Sequence, residues 1–572
     1  MNKRWRLTPP IPPDVQHSLA EYRPFEQEIL FNRGIRTTKE VDAYFTFGIS
    51  QDHDPFLMSG MDQAVERLQA AVASGENIVI YGDYDADGVT ATALLVDVLR
   101  RIGASVGHYI PNRFNEGYGL NHDALTKIRE RGGELVITVD CGVRAVDEIE
   151  HAVSLGLDVI VTDHHQPGTC LPPALAVINP SQRGDSYPFK ELAGVGVAYK
   201  LAQALLRRLG QPEPIESLDL VAIGTVADIV PLYGENRQLV RMGLEQLNRT
   251  QRLGLRAIIE TIGHEFGHLN TTTIGFGIGP RLNAAGRLDS AERAFNLLMA
   301  IEEMEAKHLA NQLEEINRER QHITREMVER ARIQVVGKDP PPLLIIAIDP
   351  GFNQGVIGLA ASRLVEEFYR PSIVAAYGEK VIRGSARSIP EFHITEALDE
   401  CEELLERYGG HSAAAGFSVR NERFDEFKQR INQVATEKLA EIELRPTLTV
   451  DAVVRFSDLD WSLHEFIERM EPCGYGNPFP VLAVQDVEVV SKRTVGAEGR
   501  HLKLTMRDEQ KKVFDAIAFR QGHFYTDLPQ RVDLAFRLER NDYRGVSSLQ
   551  LNVLNIRPAG SLDDPNMTIR EP

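Results

Sequence analysis

Cysteine is scarce in this sequence, and its few cysteines form no pattern. Cys141, Cys170, Cys401 and Cys473 are the four among 572 residues, and no two of them form a CxxC pair. Neither a disulfide framework nor a zinc knuckle is therefore expected, and a reducing cytoplasm is the expected compartment.

Long apolar runs are also missing. No stretch reaches about 18 uninterrupted apolar residues, so no membrane span is expected. The N-terminal sequence MNKRWRLTPPIPPDV carries charges but no apolar run follows them, so no signal peptide is expected. With 43% apolar and 25% charged residues, the composition is typical of a globular protein, and the length suggests three or four domains.

An overall positive charge is absent as well, because the net charge is −19. By itself this argues against a nucleic-acid partner, since binding to phosphates requires a basic surface. A negative net charge nevertheless allows a local basic groove on the surface.

Short apolar runs alternate with helical patterns in the first half of the chain. The runs are Asn77–Tyr81, Leu135–Val139, Leu157–Thr162 and Ala176–Ile178, and Val89–Leu99 is a helical pattern between two of them. This alternation predicts an α/β fold with a parallel sheet that helices cover on both faces. Further helices are predicted at Val195–Leu209 and from Ile215 to about Val226.

One long helix is predicted over Glu302–Val335, and a second, smaller α/β segment follows it. The helix has two interpretations: a two-chain coiled coil, or a linking helix packed on its own domains. We favour the linking helix because the apolar stripe is short and Arg320 interrupts it. Pro340, Pro341 and Pro342 end it. The elements predicted beyond them are strand Leu343–Ile348, helix Gly355–Phe368, strand Ser372–Ala376, a loop at Gly384–Ser388, and helix Thr395–Arg407, which ends at Gly409-Gly410.

After about Arg445 the pattern alternates with a period of two, in His501–Met506, Val513–Ala518, Val532–Leu538 and Leu549–Val553. This predicts a small antiparallel barrel or sandwich. Basic residues lie in or beside these strands, so we expect an OB-like, nucleic-acid-binding β-barrel, with a merely solvated surface as the alternative. They are Lys492, Arg493, Arg500, Lys503, Arg507, Lys511, Lys512, Arg537, Arg540 and Arg544. The predicted domains are 1–54 (N-terminal segment), 55–300 (catalytic), 301–338 (linking helix), 339–445 (second α/β), 446–560 (barrel) and 561–572 (tail).

Aspartates and histidines follow three of the predicted strands directly. Asp83, Asp85 and Asp87 follow the first strand, Asp140 follows the second, and Asp163-His164-His165 follows the third. The carboxyl ends of parallel strands share one edge, so these residues should converge. Carboxylates suit Mg²⁺ or Mn²⁺. Asp228 lies in an apolar stretch, where it is either a metal ligand or a helix cap.

The motifs resemble those of the DHH phosphoesterase superfamily. Asp163-His164-His165 is similar to its signature, and Tyr81–Gly88, Asp140–Gly142 and Gly224–Leu232 are similar to its other ligand motifs, in the same order. Gly279–Leu288, Gly384–Ser388, Gly409–Gly416 and Pro472–Pro478 resemble motifs of its single-strand-specific 5′→3′ exonucleases. The resemblance implies a DHH domain, a DHHA1 domain and a barrel. Many members carry a histidine where this chain has Tyr81, so that ligand is absent here or is replaced, for example by Asp83.

The resemblance implies a catalytic site with two divalent ions, Mn²⁺ or Mg²⁺. Its implied ligands are Asp85, Asp87, Asp140, His164 and Asp228, with Asp83 as a further candidate and Asp140 as the bridge. His165 would contact the scissile phosphate or, alternatively, would orient one of the metal ligands without binding the metal itself. The residues implied to bind substrate are Arg113, Tyr118, Arg281, Arg287, Ser385, Arg387 and His411.

The function expected from this resemblance is 5′→3′ exonuclease action on single-stranded DNA in repair and recombination, releasing 5′-mononucleotides. The expected partners are single-stranded DNA with a 5′ end, a single-strand-binding protein and a helicase, with a monomeric enzyme and no membrane. Two alternatives stay open: a phosphodiesterase for short oligonucleotides or cyclic dinucleotides, and a non-catalytic replication scaffold.

Overall fold

The computed structural model describes residues 3–46, 53–335, 341–543, 545–561 and 568–569. Contacts divide the chain into two compact units. One contains residues 1–49, 445–473 and 477–572, and the other contains residues 50–444 and 474–476. Within the described ranges no helix is both long and apolar enough to cross a bilayer.

The larger unit contains a five-stranded sheet that is parallel throughout. Its spatial order is Ser105–Tyr109, Asn77–Tyr81, Leu135–Val139, Asp158–Thr162 and Ala176–Ile178. The predicted parallel sheet is confirmed, and the strand missed from the sequence is Ser105–Tyr109, whose side chains are exposed or half-buried and mostly polar. Successive strands are added on one side of Asn77–Tyr81 and then, from Leu135–Val139 onwards, on its other side. Crevices for ligands form where the strand order reverses in this way.

Helices cover this sheet. Three of them, Ala86–Arg101, Gly194–Arg208 and Leu218–Ala227, pack on one another and are buried on nearly every side. The others are Met61–Ser74, His122–Glu130, Val146–Ser154, Gly234–Leu247, Leu253–Thr261, Gly279–Leu288 and Glu292–Met299, with short turns at Pro55–Leu57 and Ile215–Ser217 and a π-helical turn at Thr273–Ile278.

The long helix spans Glu303–Ile333 and packs on its own unit, as the preferred interpretation predicts. Ala306, Ala310 and Leu313 belong to the core of the first sheet. Met327 and Ala331 belong to a second core, which they share with the following helix, Ile357–Phe368. The helix therefore connects two α/β regions within one unit. Of the prolines predicted to end it, Pro340 lies outside the described residues.

The second sheet has five strands and is mixed. Its order is Arg407–His411, Ala414–Arg420, Val381–Arg387, Ser372–Ala376 and Ile345–Asp349, and its helices are Ile357–Phe368, Ile394–Asp399 and Phe424–Leu439, with short turns at Glu402–Leu404 and Asn421–Arg423.

Two sequence predictions for this region are wrong. The helix predicted over Thr395–Arg407 stops at Asp399, because Arg407–His411 pairs with Ala414–Arg420 as an edge strand. The loop predicted at Gly384–Ser388 is mostly strand Val381–Arg387, which lies between two neighbours in the sheet. Small and polar residues dominate both segments, so pairing with neighbouring strands decides their conformation and local propensity does not.

The smaller unit contains the predicted barrel. Its strands are Ala452–Val453, Leu482–Val495, His501–Arg507, Val513–Ala518, Arg531–Tyr543 and Val546–Pro558. The strand missed from the sequence, Leu482–Val495, pairs with both His501–Arg507 and Arg531–Tyr543, and this closes a five-stranded barrel of the OB type. The remaining elements are a small sheet of Thr447–Val450, Arg4–Leu7 and Thr568–Ile569, helices Pro13–Ser18, Pro24–Phe31, Thr38–Phe45 and Trp461–Arg469, and short turns at Phe456–Asp458, Ala497–Gly499 and Gly522–Tyr525.

Candidate metal centre and arginine cluster

The predicted convergence at the carboxyl edge of the first sheet occurs. Asp83, Asp140 and Asp163 follow three neighbouring strands, and all three side chains are buried. Asp140 takes the left-handed backbone conformation (φ 59°), which aspartate tolerates better than most residues. The edge therefore gathers carboxylates that are shielded from bulk solvent.

Backbone amide groups hold two further carboxylates. Oδ1 of Asp85 accepts hydrogen bonds from the amides of Asp87 (3.0 Å) and Gly88 (3.1 Å), so Asp85 is the N-cap of helix Ala86–Arg101. The carboxylate of Asp87 accepts from the amides of Gly194 (2.7 Å) and Val195 (2.8 Å) at the start of another helix. No signal in the sequence indicates this second contact, which favours the charged form of Asp87.

Asp228 occupies the position that directly follows helix Leu218–Ala227. A carboxylate gains nothing from the helix dipole at a C-terminus, so the predicted alternative of a stabilising cap does not explain its presence. Its Oδ2 lies 3.6 Å from Nε2 of His164. Asp228 therefore belongs with the other potential ligands.

The potential ligand atoms form three sets, and within each set all of the atoms lie within 4.8 Å of one another. They are Asp83, Asp85 and Asp140; Asp87, His164 and Asp228; and Asp140, His164 and His165. Asp140 is shared between two sets, and its Oδ1 is 3.1 Å from Nε2 of His164. The described residues thus contain oxygen and nitrogen donors suited to more than one divalent cation.

Unpaired polar atoms support a cation at this position. Among the described residues, Oδ1 of Asp83, Oδ1 of Asp140 and Nε2 of His164 are buried and make no hydrogen bond. Leaving such atoms unpaired is costly. Divalent cations would satisfy all three, so the residues present fit the metal ions that the sequence implies.

The pKa values reflect the same crowding of negative charge. Two causes raise the pKa of Asp83, Asp140 and Asp228 well above the usual range: burial, which is the larger, and repulsion between neighbouring carboxylates. The same causes raise the pKa of Asp87 to about 7. Burial lowers the pKa of His164 to about 4, so its imidazole is neutral at pH 7 and available as a ligand.

Asp163 fixes the orientation of His165. Its Oδ1 accepts from the backbone amides of His164 (2.7 Å) and His165 (3.0 Å) and lies 2.8 Å from Nδ1 of His165, while its Oδ2 accepts from the amide of Val143. Hydrogen bonding to Asp163 raises the pKa of His165 despite its burial. With Nδ1 occupied, Nε2 is the nitrogen left for other contacts.

The two tyrosines named in the sequence analysis differ in position. The hydroxyl of Tyr81 donates to the carbonyl of Gly119 (3.1 Å) and accepts from Nδ2 of Asn121 (3.2 Å). Its hydroxyl is therefore already bonded to the segment Gly119–Asn121, whereas Asp83 belongs to one of the ligand sets. Tyr118 is 55% exposed, and its hydroxyl lies 3.4 Å from the carbonyl of Asp140.

Three arginines lie beside this centre, and a fourth, Arg320, lies near one of them, Arg287. Among the described residues none of the four has a carboxylate within 4.0 Å. Arg113 stacks on Tyr84 (4.7 Å to the ring), and Arg287 donates to the carbonyl of Gly355 (3.3 Å). Arg387 and Arg320 also donate to uncharged acceptors, and we call these four residues the arginine cluster. Burial and the charge of Arg113 lower the pKa of Arg387, and burial together with the neighbouring arginines lowers that of Arg287 to about 10. Cations placed together without counter-charges indicate a binding site for an anion.

Ser385 and Arg387 share strand Val381–Arg387 and lie at the start of helix Ile357–Phe368. A Cβ atom on Gly358 would come within 2.9 Å of Nη2 of Arg387 and 3.0 Å of Oγ of Ser385, so glycine leaves room for both side chains. Nη1 of Arg387 donates to Oγ of Ser385 (3.0 Å). The amide groups of a helix start add to the attraction for an anion at this position.

The remaining substrate candidates are placed differently. Arg281 forms an ion pair with Glu314 of the long helix (2.6 Å) and donates to the carbonyl of Gly277, and its side chain is only 13% exposed. His411 is exposed and lines a cavity of about 300 Å³ together with Tyr118 and His165. Arg320 interrupts the apolar stripe of the long helix, and only the folded structure shows it near other arginines.

The basic residues of the barrel are partly neutralised. Arg507 pairs with Glu488 (2.7 Å), Arg540 with Asp542 (2.9 Å) and Lys503 with Asp515 (3.9 Å). Arg537 is largely buried beside Phe479, and Arg544 lies outside the described residues. Lys492, Arg493, Arg500, Lys511 and Lys512 all lie within the described residues and have no carboxylate within 4.0 Å.

Known protein families match three parts of the chain. Residues 77–225 match the DHH family, N-terminal domain, residues 341–437 match the DHHA1 domain, and residues 450–555 match the RecJ OB domain. These ranges contain the first sheet, the second sheet and the barrel, respectively.

Whole-chain relatives are similar over nearly the full length. The single-stranded-DNA-specific exonuclease RecJ of Bacillus subtilis is 40% identical over 557 residues, covering 96% of this chain and 70% of that protein. The crystal structure of Thermus thermophilus RecJ with Mn²⁺ matches with a TM-score of 0.83 and 33% identity, covering 97% of this chain and 80% of that one. The Mg²⁺ complex of that protein matches with a TM-score of 0.78 and 30% identity, covering 99% and 79%.

Proposed function

The chain belongs to the RecJ family of single-stranded-DNA-specific exonucleases, and from this premise we propose that it degrades single strands in the 5′→3′ direction with two divalent cations, Mn²⁺ or Mg²⁺. The observation that carries the proposal is the position of the arginine cluster beside carboxylates that lack partners. One group suits cations and the other suits phosphate, and a nuclease needs both. The expected exonuclease is favoured over the two alternatives because the relatives are single-strand exonucleases.

The proposed metal ligands are those of the sequence analysis. Asp83, Asp85 and Asp140 would hold one cation, and Asp87, His164 and Asp228 would hold the other, with Asp140 near both. When bound, the pair would activate water and neutralise charge on the phosphate that is cleaved. The support is the set of buried donor atoms without partners.

The chain's own residues position the reacting groups. Hydrolysis joins the oxygen of water to phosphorus and breaks the bond to the 3′ oxygen of the terminal nucleotide, so a 5′-mononucleotide leaves and the shortened strand keeps a 5′ phosphate. We assign Nε2 of His165 to a contact with the phosphate being cleaved, since Asp163 holds the other ring nitrogen at 2.8 Å. Tyr118 and His411 would enclose the terminal nucleotide beside His165.

The direction of cleavage requires a site for the end of the strand. We assign the 5′ phosphate to Arg113, Ser385 and Arg387, with Arg287 beside them. The three arginines have no carboxylate partner among the described residues, and the hydroxyl of Ser385 contacts Arg387. Arg281 was expected to bind a backbone phosphate further along the strand. Its pairing with Glu314 favours instead a role in holding the long helix.

The barrel is proposed to supply affinity for the strand beyond the site. We keep the predicted boundaries, with residues 55–300 as the catalytic domain, 339–445 as the end-binding domain and 446–560 as the strand-binding domain. A variant with alanine at Lys492, Arg493, Arg500 and Lys511 should bind single strands with a weaker salt dependence. The slope of log K against log salt concentration should become less steep by roughly 0.7 for each phosphate contact that is lost. Arg507→Ala is the matched control, because Glu488 already neutralises Arg507. An unchanged slope in the fourfold variant would exclude the barrel as a phosphate-binding surface.

We further propose that the enzyme works as a cytoplasmic monomer on strands that a helicase opens and a single-strand-binding protein covers. The four cysteines, all within the described residues, form no disulfide, which is compatible with a reducing compartment. Sedimentation of the purified chain alone and with each partner tests the monomer and the two complexes separately.

The test of the proposed function uses one single strand labelled either at its 5′ end or at its 3′ end. With Mn²⁺ or Mg²⁺, the 5′ label should appear at once as a mononucleotide, while the 3′ label should stay on a gradually shortening strand. Chelation should stop both reactions. Early release of the 3′ label, or cleavage in the presence of chelator, would contradict the assignment.

A further inference from the structure

The last strand of the first sheet also ends in a polar residue. Asn179 directly follows strand Ala176–Ile178, which lies beside Asp158–Thr162 at the edge of the sheet. Its side chain is fully buried, and it belongs neither to the sets of ligand atoms nor to the arginine cluster. A buried amide needs hydrogen-bond partners, because burying it without them is costly. The partners of Asn179 therefore show what its side chain does.

The side chain of Asn179 makes two hydrogen bonds that fix its orientation. Its Oδ1 accepts from the backbone amide of Ser181 (2.8 Å), and its Nδ2 donates to the backbone carbonyl of His165 (2.8 Å). A backbone amide only donates and a carbonyl only accepts, so the two ends of the side chain cannot be exchanged. The position thus requires a group that donates at one end and accepts at the other, as an amide does.

The contact with Asn179 is made on the side of His165 that leads into an exposed loop. Residues 163–175, all of them described, contain no helix or strand, and Gly168–Leu171 is exposed. Asp163 holds the ring and the backbone amide of His165, so the carbonyl is the end that would otherwise follow the loop. Asn179 therefore completes the attachment of His165 to the sheet.

We propose that Asn179 is a positioning residue for His165 and that it acts on cleavage through that imidazole. This inference rests on the proposed function, which assigns Nε2 of His165 to the phosphate being cleaved. A hydrogen bond from Asp163 to Nδ1 fixes the ring only relative to the backbone that carries it. With the carbonyl of His165 bonded to Asn179, the backbone and the ring are both attached to buried strand ends. A displacement of about 1 Å in an active site can slow a reaction by about 10²-fold.

The test measures single-turnover cleavage of a 5′-phosphorylated single strand with saturating Mn²⁺. Asn179→Ala should slow the maximal rate by about 10- to 100-fold, since His165 is no longer held in place. The strand concentration that gives half of the maximal rate should not change, because other residues hold the 5′ phosphate. Two spin-coupled Mn²⁺ ions should still bind, since Asn179 bonds to none of the proposed metal ligands.

A double-mutant cycle with His165→Ala separates positioning from general support of the fold. In the His165→Ala enzyme, Asn179→Ala should slow cleavage further by no more than about 2-fold, because the imidazole on which it acts is gone. A purely structural role would slow both enzymes by the same factor.

Two further variants complete the design. Asn179→Asp keeps the volume and the acceptor for Ser181, but its charged form cannot donate to His165, so it should be as slow as Asn179→Ala. It gives the same comparison if alanine prevents folding. Gln182→Ala is the matched control, because Nε2 of Gln182 donates to the carbonyl of Val177 (3.0 Å) at a buried position in the same segment. It should lower the melting temperature by a similar amount and cleave at the wild-type rate.

Four results would overturn the proposal: a folded Asn179→Ala enzyme that cleaves at the wild-type rate, loss of the coupled Mn²⁺ pair in that enzyme, effects of Asn179→Ala and His165→Ala that multiply, or a Gln182→Ala enzyme that is slowed as much as Asn179→Ala. Failure of the proposed function gives a different result. In that case His165→Ala alone would cleave at the wild-type rate, or the 5′ label would not be released first.

Discussion

The carboxylate cluster and the arginine cluster lie side by side in one unit, but their side chains are held in different ways. Each aspartate side chain has only two rotatable bonds, and backbone amides fix Asp85 and Asp87 directly. The arginines reach the cluster from separate elements on long side chains, and their partners are neutral: Arg113 stacks on Tyr84 and the other three donate to uncharged acceptors. The first group is positioned by strand ends and helix starts, and the second depends on how distant elements pack.

This difference should appear when single residues are removed. A carboxylate in a preformed cluster acts with its neighbours, so its loss should disable the whole centre. An arginine in a group of four shares its role, so its loss should alter preference more than turnover.

The largest effect is expected for Asp140→Ala. Asp140 is shared between two sets of ligand atoms, so cleavage should fall by at least on the order of 10³-fold. The fold should persist, because the change removes a carboxylate that its neighbours repel. Circular dichroism and melting of the metal-free variant check this, and Asp147→Ala, an acidic residue outside every ligand set, is the control. Turnover near wild type in a folded variant would contradict the two-metal centre.

The second effect concerns the end of the strand. Arg387→Ala should reduce the preference for a 5′-phosphorylated over a 5′-hydroxyl strand by roughly 10-fold or more, because one charge-assisted contact is lost. Binding of Mn²⁺ should remain normal.

Arg383→Ala serves as the control for that experiment. It removes the same charge from the same strand, at an exposed position. If Arg387→Ala and Arg113→Ala both retain the full preference, the 5′ phosphate binds elsewhere.

The third prediction separates two arginines of one helix. Arg281→Ala should lower the stability of the protein by about 2 kcal/mol, since it removes a mostly buried ion pair and leaves Glu314 with only the exposed Arg318 as a partner. Arg287→Ala should change stability less and reduce the preference for a 5′ phosphate. Denaturant melts and competition assays on both variants distinguish the roles, and the opposite assignment would follow if Arg281→Ala alone altered end preference.

The sequence predicted the carboxylate cluster well, and the reason is physical. A parallel sheet brings its strand ends to one edge whatever the loops do, so Asp83, Asp140 and His164 could be placed before the fold was known. The same reasoning could not find Gly194, whose amide holds Asp87, because that contact joins segments far apart in sequence.

The arginines were harder to predict for the opposite reason. The pattern indicates Arg320 only as a break in an apolar stripe and gives no sign that Arg281 pairs with Glu314, because the long helix cannot be oriented from the sequence. The second sheet shows the same limit. Val381–Arg387 is strand because its neighbours pair with it, and its own residues favour a loop.

The smallest expected effect is a pH dependence of the metal-free protein. The pKa of Asp87 is raised in the fold to about 7, so folding favours its protonated form. That contribution to stability is complete at a pH below the pKa that Asp87 has in the unfolded chain, and it is lost as the pH rises towards 7. The melting temperature of the protein in the presence of a chelator should therefore fall by at least about 2 °C between pH 5 and pH 8.

Asp87→Asn should reduce this pH dependence, because the amide does not titrate. Saturating Mn²⁺ should also reverse the trend in the wild-type protein, since the cation binds the charged form. A wild-type curve that is flat without metal would contradict the raised pKa.

The central claim is that this edge of the sheet holds two divalent cations with Asp140 between them. The most direct test counts the Mn²⁺ ions bound per chain by equilibrium titration with electron paramagnetic resonance, without any substrate. We predict two ions bound to the wild-type chain, with spin coupling between them, and at most one uncoupled ion bound to Asp140→Ala. One ion on the wild-type chain, or two coupled ions on the variant, would contradict the account.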